Sequence, residues 1–323
     1  MKKVTVITPT YNRASYLDET IQSVLSQAYP DIEYIILDDG STDNTKEVVS
    51  KYNVKYTRHE NIGESRTVNK GFVMADSDIV VILNSDDLLL PGAISKGMAF
   101  IRDHPGIIVA YPDFNIIDQH SKITGHHRTK EYDYLYMLRN HICLPSVGTF
   151  IKRNPVLRNP QYTYVADYDY WLRLGLHGRF ARIPETLACW RVHSEGASGN
   201  KGESLSDEHV YVIKKYYSSA GIHRNILKVK SEAFAWAHIV AATTSGKHRS
   251  LQHIAKAILY YPPVIFGVIR SLLSKFSVKR KIYNTIGWLF ILLWLFVSLL
   301  IIMPCIIWYD IKDIKQKGKR IFF

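Results

Sequence analysis

Ile79 to Leu83 is a short apolar run, and it delivers Asn84-Ser85-Asp86-Asp87 directly at its end. Adjacent carboxylates after a buried strand crowd like charges, which costs free energy unless a cation or basic group neutralises them. Mg2+ or Mn2+ suits such a corner, because these hard cations accept one or two carboxylates and complete their shell with diphosphate oxygens and water. A helix cap ahead of Pro91 is the plain structural alternative. Two other turns carry complementary groups, Thr8-Pro9-Thr10-Tyr11-Asn12-Arg13 and Asp38-Asp39-Gly40-Ser41-Thr42-Asp43-Asn44-Thr45. An aromatic ring, hydroxyls and an Arg facing carboxylates can stack on a nucleobase and hydrogen-bond a ribose, although Gly40 also suits a turn and Thr42 or Asp43 a cap.

Three later stretches add charge at helical or loop spacing. Asn61 to Gly71 opens a helix at Gly63 and sets Arg66 and Asn69 three apart on one face. Tyr164 to Leu174 has helical spacing with Asp167 in its opening turn, where a carboxylate also serves as a partner of the helix dipole. Cys189-Trp190-Arg191-Val192-His193 supplies a permanent cation and an imidazole able to donate or to ligate metal. Gly196, Gly199 and Gly202 follow in a loop suited to ordering over a ligand.

The elements needed to position these groups alternate. Val4–Thr8, Ile32–Leu37, Val54–Thr57 and Ile79–Leu83 read as strands, and Tyr16–Gln27, Thr42–Lys51 and Glu64–Ala75 as helices, the second capped by Ser41 or Thr42. Such βαβα order predicts an α/β domain with a mainly parallel sheet, helices on both faces, and ligands at the carboxyl ends of the strands. The polar turns lie at those ends.

The chain has 323 residues and a formal charge of +12, but the surplus is confined: residues 1–200 hold 22 Lys+Arg against 23 Asp+Glu, and residues 201–323 hold 19 against 6. No nucleic-acid motif accompanies that charge, so anionic lipid headgroups are the better partner. Residues 286–309 are 24 positions without a charge, enough to cross a hydrocarbon core of roughly 30 Å. A transmembrane helix is expected there, with a basic tail over 310–323. Residues 254–276, broken by Pro262-Pro263 and dotted with Lys256, Arg270 and Lys275, read as interfacial amphipathic helices, with a second span as the alternative. The domain plan is a catalytic-sized unit over 1–200, a helical, basic, membrane-interface region over 201–285, the span, and the tail. Three cysteines without a C-x-x-C pair indicate neither a disulfide framework nor a thiolate zinc site. The apolar run after Met1-Lys2-Lys3 is too short for a signal peptide, so the N-terminal part is expected to stay where it is made.

Together the motifs resemble the inverting family 2 glycosyltransferases with the GT-A fold, over roughly residues 3–200 and in family order. The resemblance implies a nucleotide-diphospho-sugar donor, a UDP-sugar for preference, and a Mn2+ or Mg2+ ion. It places Asp39 on the nucleobase with Tyr11 and Arg13 lining its pocket, and makes Pro9, Arg66, Ser85 and Arg191 further donor contacts. Asp86 becomes the principal metal ligand, supported by Asp87 and His193. Asp167 takes the place of the general base in a segment similar to E-D-x-D-x-W-x-x-R, with Asp169 as the fallback. The chain departs from the family at Asn84, where Asp is common, at Thr67-Val68, where Ala-Arg is common, and at Ala166, where Glu is usual. The tail and the resemblance imply a lipid-linked saccharide acceptor at the cytoplasmic face of the cytoplasmic membrane. A homo-oligomer is compatible with the sequence. A polyprenyl-phosphate sugar synthase and a non-catalytic, membrane-tethered sugar-nucleotide-binding protein are the alternatives.

Overall fold

The computed structural model describes residues 2–194, 196, 206–219 and 222–264. The first half alternates β1 (Val4–Thr10), α1 (Ala14–Leu25), β2 (Ile32–Asp38), α2 (Thr45–Val49), β3 (Lys55–Arg58), α3 (Glu64–Met74) and β4 (Ile79–Ile82). It continues with β5 (Leu88–Leu89), α4 (Ala93–Asp103), β6 (Ile107–Ile117), β7 (Ile123–His127), α5 (Tyr134–Asn140), β8 (Phe150–Lys152), α6 (Ala166–Leu174) and β9 (Arg179–Arg191). Helices α7 (Ser206–Tyr217), α8 (Arg224–Lys228), α9 (Lys230–Thr244) and α10 (Lys247–Tyr260) follow.

Strand β1 is buried along its whole length because both faces of the sheet are covered. Val4 and Val6 of β1, Ile36 of β2 and Val81 of β4 pack against Leu17, Ile21 and Val24 of α1 and Ile94 and Met98 of α4. Ile7, Ile35, Leu37 and Val80 point the other way, to Val68 and Phe72 of α3. The period-two alternation of side chains along each strand makes this division. Gly71 lets α3 approach closely, since a Cβ there would lie 2.6 Å from Ile7 Cγ2 and 2.8 Å from Leu37 Cδ1.

The sheet order is β3-β2-β1-β4-β8-β6-β9-β5, with β7 beside β6. Strands β3, β2, β1 and β4 are parallel neighbours. Beyond β4 the sheet is mixed rather than mainly parallel: β8 runs antiparallel to both β4 and β6, and β5 runs antiparallel to β9. The β9 strand thereby crosses back to the Asp86-Asp87 turn and delivers Arg191 there. Helix α2 is shorter than the expected 42–51, because Asn12 Oδ1 accepts Thr42 N at 2.8 Å and Asp43 Oδ1 accepts Thr45 N at 3.1 Å, drawing residues before Thr45 into a turn.

Packing does not break at residue 200. Val212, Ile213, Tyr217, Ile226 and Phe234 share one core with Trp171 and Leu172 of α6, so α7 to α9 belong to the catalytic body instead of forming a separate interface layer. Among the described residues no helix is long and apolar enough to cross a membrane. The expected span 286–309 and the tail 310–323 lie outside them, as does the 265–276 part of the expected interfacial stretch.

Glu208 of α7 ties this helical layer to the start of α6. Its carboxylate accepts Thr163 N at 3.1 Å and Tyr164 N at 2.9 Å, satisfying amides of the chain entering the helix where negative charge also suits the dipole. Glu208→Ala is expected to lower stability by about 1–2 kcal/mol. Urea denaturation followed by circular dichroism measures this; an unchanged midpoint would mean that the amides find other partners.

Candidate active site

The register sets Thr10 beside Asp38 and Ile7 beside Ile82, so the turns after β1, β2 and β4 share one edge. Asn12, at φ 50°, locks the first two together: its amide donates to Ser41 Oγ at 2.9 Å while its side chain takes Thr42 N. Asp38 is consumed structurally, accepting Ser41 N at 2.7 Å and the Tyr56 hydroxyl at 2.5 Å. Burial, and then the Asp38 carboxylate, push the Tyr56 hydroxyl well above the usual phenol range. Asp39 is buried, and its two oxygens accept Ile62 N at 2.7 Å and Gly63 N at 3.0 Å. Gly63 sits at φ +87°, a left-handed value that glycine adopts without strain and that opens α3 at this contact. Asp39 therefore holds the entrance of α3, whatever else its remaining lone pairs accept.

Tyr11 stands exposed at the rim, and Pro9 is enclosed in β1 opposite Leu37. Arg66 is exposed and turns its Nη1 back to Ile62 O at 3.1 Å. Ser85 is buried, its carbonyl accepting the Thr20 hydroxyl. Pro9, Tyr11, Arg13, Asp39, Arg66 and Ser85 all lie outside the adjoining cavity of about 420 Å3, whose wall includes Asp86, Asp87, Arg191, His193 and Asp167. Arg13 links the two regions, its Nε 3.9 Å from Asp86 Oδ2.

The acidic pair divides its labour. Asp87 is buried; Oδ1 accepts Arg191 N at 2.9 Å and Oδ2 receives the Asn84 amide at 3.4 Å. Burial, followed by the neighbouring Asp86 charge, raises its carboxyl well above the ordinary range. Asp87 thus braces the turn through these two contacts. Asp86 is partly exposed, and its Oδ2 lies 3.0 Å from His193 Nε2. His193 is enclosed, packs its ring 4.6 Å from that of Tyr16, and has a buried Nδ1 without a hydrogen-bond partner among the described residues. Among the described residues no group of three His, Cys, Asp or Glu is arranged to hold a metal. The Asp86–His193 pair fits Mg2+ or Mn2+ only as a two-ligand site completed by substrate phosphates and water.

Arg191 does not reach for a phosphate in this conformation. Its side chain is fully enclosed, donating to Asp86 O at 2.7 Å, Asp118 O at 3.1 Å, Ser121 Oγ at 2.8 Å and Glu19 Oε2 at 2.6 Å, with its guanidinium carbon 5.0 Å above the Tyr16 ring. It pins together α1, the acidic turn and the β6–β7 hairpin. Most of the Gly-bearing loop beyond it, expected to order over the donor, lies outside the described residues.

Asp167 opens α6 and lines the same cavity, its Oδ1 2.7 Å from Arg158 Nη2. Asp169 is buried against Arg173 at 2.6 Å and lines a different depression, so it does not reach the cavity. Four residues at the site escape sequence reading. Tyr16 and Glu19 sit three apart on α1 and carry a weak helical signal. Glu64 and Arg158 carry none, since their meeting spans 94 positions. If Arg191 is chiefly a structural clamp, Arg191→Met should destabilise the protein without nucleotide by about 2 kcal/mol or more. Thermal and urea unfolding of the ligand-free variant check this; a purely phosphate-binding Arg would leave them unchanged.

Residues 5–159 match the family model described as glycosyl transferase family 2. TuaG of Bacillus subtilis, a glycosyltransferase named for teichuronic acid biosynthesis, is 30% identical over 258 residues, covering 76% of this chain and 97% of TuaG. WfaP of Escherichia coli, named as a UDP-Glc:alpha-D-GlcNAc-diphosphoundecaprenol beta-1,3-glucosyltransferase, is 29% identical over 217 residues, 64% of this chain and 83% of WfaP. The structure of S. aureus TarS in complex with UDP-GlcNAc aligns with a TM-score of 0.64 at 18% identity, covering 81% of this chain and 82% of that one, a likeness of fold. The motifs, the sheet and the near-complete match to TuaG together make this chain a glycosyltransferase belonging to glycosyl transferase family 2.

Proposed function

We propose that this glycosyltransferase is metal-dependent and inverting, and moves a sugar from a UDP-sugar to a hydroxyl of a lipid-linked saccharide in cell-surface polysaccharide synthesis. The observation that carries the reading is that Asp167 and the Asp86–His193 pair wall the same cavity of about 420 Å3, a size suited to part of a small ligand. One wall is suited to a diphosphate and the other to a proton acceptor. The acceptor oxygen attacks the anomeric carbon as its proton passes to Asp167; the bond from that carbon to the diphosphate oxygen breaks, and the nucleoside diphosphate departs. A single displacement inverts the anomeric centre. Asp86 and His193 would hold the divalent ion, which supplies charge to offset that developing on the leaving group.

The donor reading draws support from the UDP-GlcNAc bound by TarS. The acceptor reading draws on the diphosphoundecaprenol-linked sugar named for WfaP and on the uncharged run over 286–309. Tethering the catalytic body to the cytoplasmic face of the cytoplasmic membrane would raise the effective concentration of such an acceptor.

The test uses full-length enzyme in detergent with UDP-sugars, Mn2+ and a diphospholipid-linked acceptor, with titration calorimetry for nucleotide binding. Asp167→Asn is expected to keep Mn2+-dependent UDP binding and to lose transfer by roughly 10^3-fold, within the range for removing a general base. Asp86→Asn is expected to lose the Mn2+-dependent part of UDP binding. Undiminished transfer by Asp167→Asn, or UDP affinity indifferent to both Mn2+ and Asp86→Asn, would overturn the mechanism. Transfer to a bare lipid phosphate alone would make the enzyme a polyprenyl-phosphate sugar synthase.

A further inference from the structure

Beside Asp167 lies a cation to which the proposed displacement gives no part. Arg158, in the connection between β8 and α6, is buried, and its guanidinium lies 2.9 Å from Glu64 Oε1 of α3 and 2.7 Å from Asp167 Oδ1 of α6. All three residues line the cavity. The Arg158 side chain is 6% exposed, whereas those of Glu64 and Asp167 are 55% and 56% exposed. Withdrawing both charges of an ion pair from water carries a desolvation cost that their attraction offsets only with good geometry. Here the cation is withdrawn and the two acids are presented to the cavity.

The backbone of Arg158 is equally constrained. Asn69 of α3 clasps it from both sides, Nδ2 donating to Arg158 O at 2.9 Å and Oδ1 accepting Arg158 N at 2.8 Å. A planar guanidinium on so fixed a stem acts as a rigid fork. Among the described residues its buried Nε has no partner, and Nη1 and Nη2 set its plane through Glu64 and Asp167. Among the described residues the Asp167 carboxylate has no other polar partner.

We propose that Arg158 is the positioning residue for Asp167: the guanidinium holds Oδ1, directing Oδ2 to the acceptor hydroxyl, while Glu64 steadies the other prong of the fork. The proposal deepens the reading of Asp167 as the base and rests on it. Arg158 touches no reacting atom in this account, and its effect on the reaction passes through Asp167.

Steady-state transfer kinetics and UDP–Mn2+ calorimetry on the full-length enzyme test it, using Arg158→Gln, Arg158→Lys, Glu64→Gln, Asp167→Asn and the Arg158→Gln/Asp167→Asn double variant. Arg158→Gln is expected to lower kcat by about 100-fold, the scale of a reacting group displaced by about 1 Å, with donor KM and UDP affinity unchanged within about twofold. Arg158→Lys should regain part of the loss, because an ammonium reaches one carboxylate but cannot fork to two. The double variant should be no slower than Asp167→Asn alone, since residues acting as one unit are not additive. Glu64→Gln leaves the buried charge paired with Asp167 and keeps the test open should Arg158→Gln fail to fold; about a tenfold fall in kcat is expected, absent in the Asp167→Asn background. An equal cost of Arg158→Gln with and without Asp167, or a loss confined to donor KM, would overturn the proposal. If Asp167→Asn is inactive while the Arg158 and Glu64 variants keep full kcat, only the positioning role falls. If Asp167→Asn keeps full rate, the base reading falls with it.

Discussion

Crowded negative charge at the carboxyl ends of β2 and β4, on either side of β1, is the constraint to which the rest of the structure answers. The parallel register that brings the turns together also assembles Asp38, Asp39, Asp86 and Asp87 at one edge. Carboxylates taken out of water in such company must each be given donors or lose their charge. Asp38 receives Ser41 N and the Tyr56 hydroxyl, Asp39 receives Ile62 N and Gly63 N, and Asp87 receives Arg191 N. Asp86 differs, with His193 and a more distant Arg13 beside it and part of its carboxylate facing the cavity. Three of the four acids are held by donors of the edge itself, and the fourth keeps part of its carboxylate toward the cavity.

Two buried arginines transmit that shape to the cavity walls. Arg191 binds the acidic turn to α1 and to the β6–β7 hairpin, so the chain leaving β9 toward His193 starts from a fixed root. Arg158 performs the corresponding task where it joins Glu64 of α3 to Asp167 of α6. Buried guanidinium groups suit this work because each offers a planar array of donors that cannot be deprotonated. The cost of desolvating them is offset only when nearly every donor is placed, which ties their function to correct packing of several elements at once. Glu208 extends the same logic outward, making α7 part of the mounting of Asp167.

Local signals in the sequence reveal the half of the fold that local chemistry dictates. The apolar runs and polar turns from Val4 to Asp87 mark β1 to β4 and place Asp86, Asp39 and Tyr11 at their ends, and Asp167 is visible in the opening turn of α6. Strand order beyond β4 is not visible, because pairing of β8 with β4 and of β9 with β6 is decided by contacts distant in the chain. The same limitation hides partners. Arg191 reads as a phosphate contact, since an Arg near a His and glycines carries no mark of the Glu19, Asp118 and Ser121 that enclose it. The Glu64–Arg158 pair is invisible for the same reason. The break expected at residue 200 follows a change in charge, a surface property, whereas the core continues through α9.

The departures from the family pattern become intelligible once those partners are known. Asn84 stands where Asp is common, and there its amide donates toward the buried Asp87 carboxylate; a third acid at that point would add repulsion to a group whose charge burial already disfavours. Val68 stands where Arg is common, and it is buried in the core with Phe72, a setting that an unpaired guanidinium would not tolerate. One residue farther on, Asn69 secures Arg158 instead, and this cation lines the cavity. Ala166 stands where Glu is usual, beside Asp167, and a second carboxylate nevertheless faces the same guanidinium, contributed by Glu64. In this chain one cation is paired with two acids, each contributed by a different element. On this wall of the cavity the electrostatic surroundings of Asp167 therefore come from residues distant in the chain, Arg158 and through it Glu64.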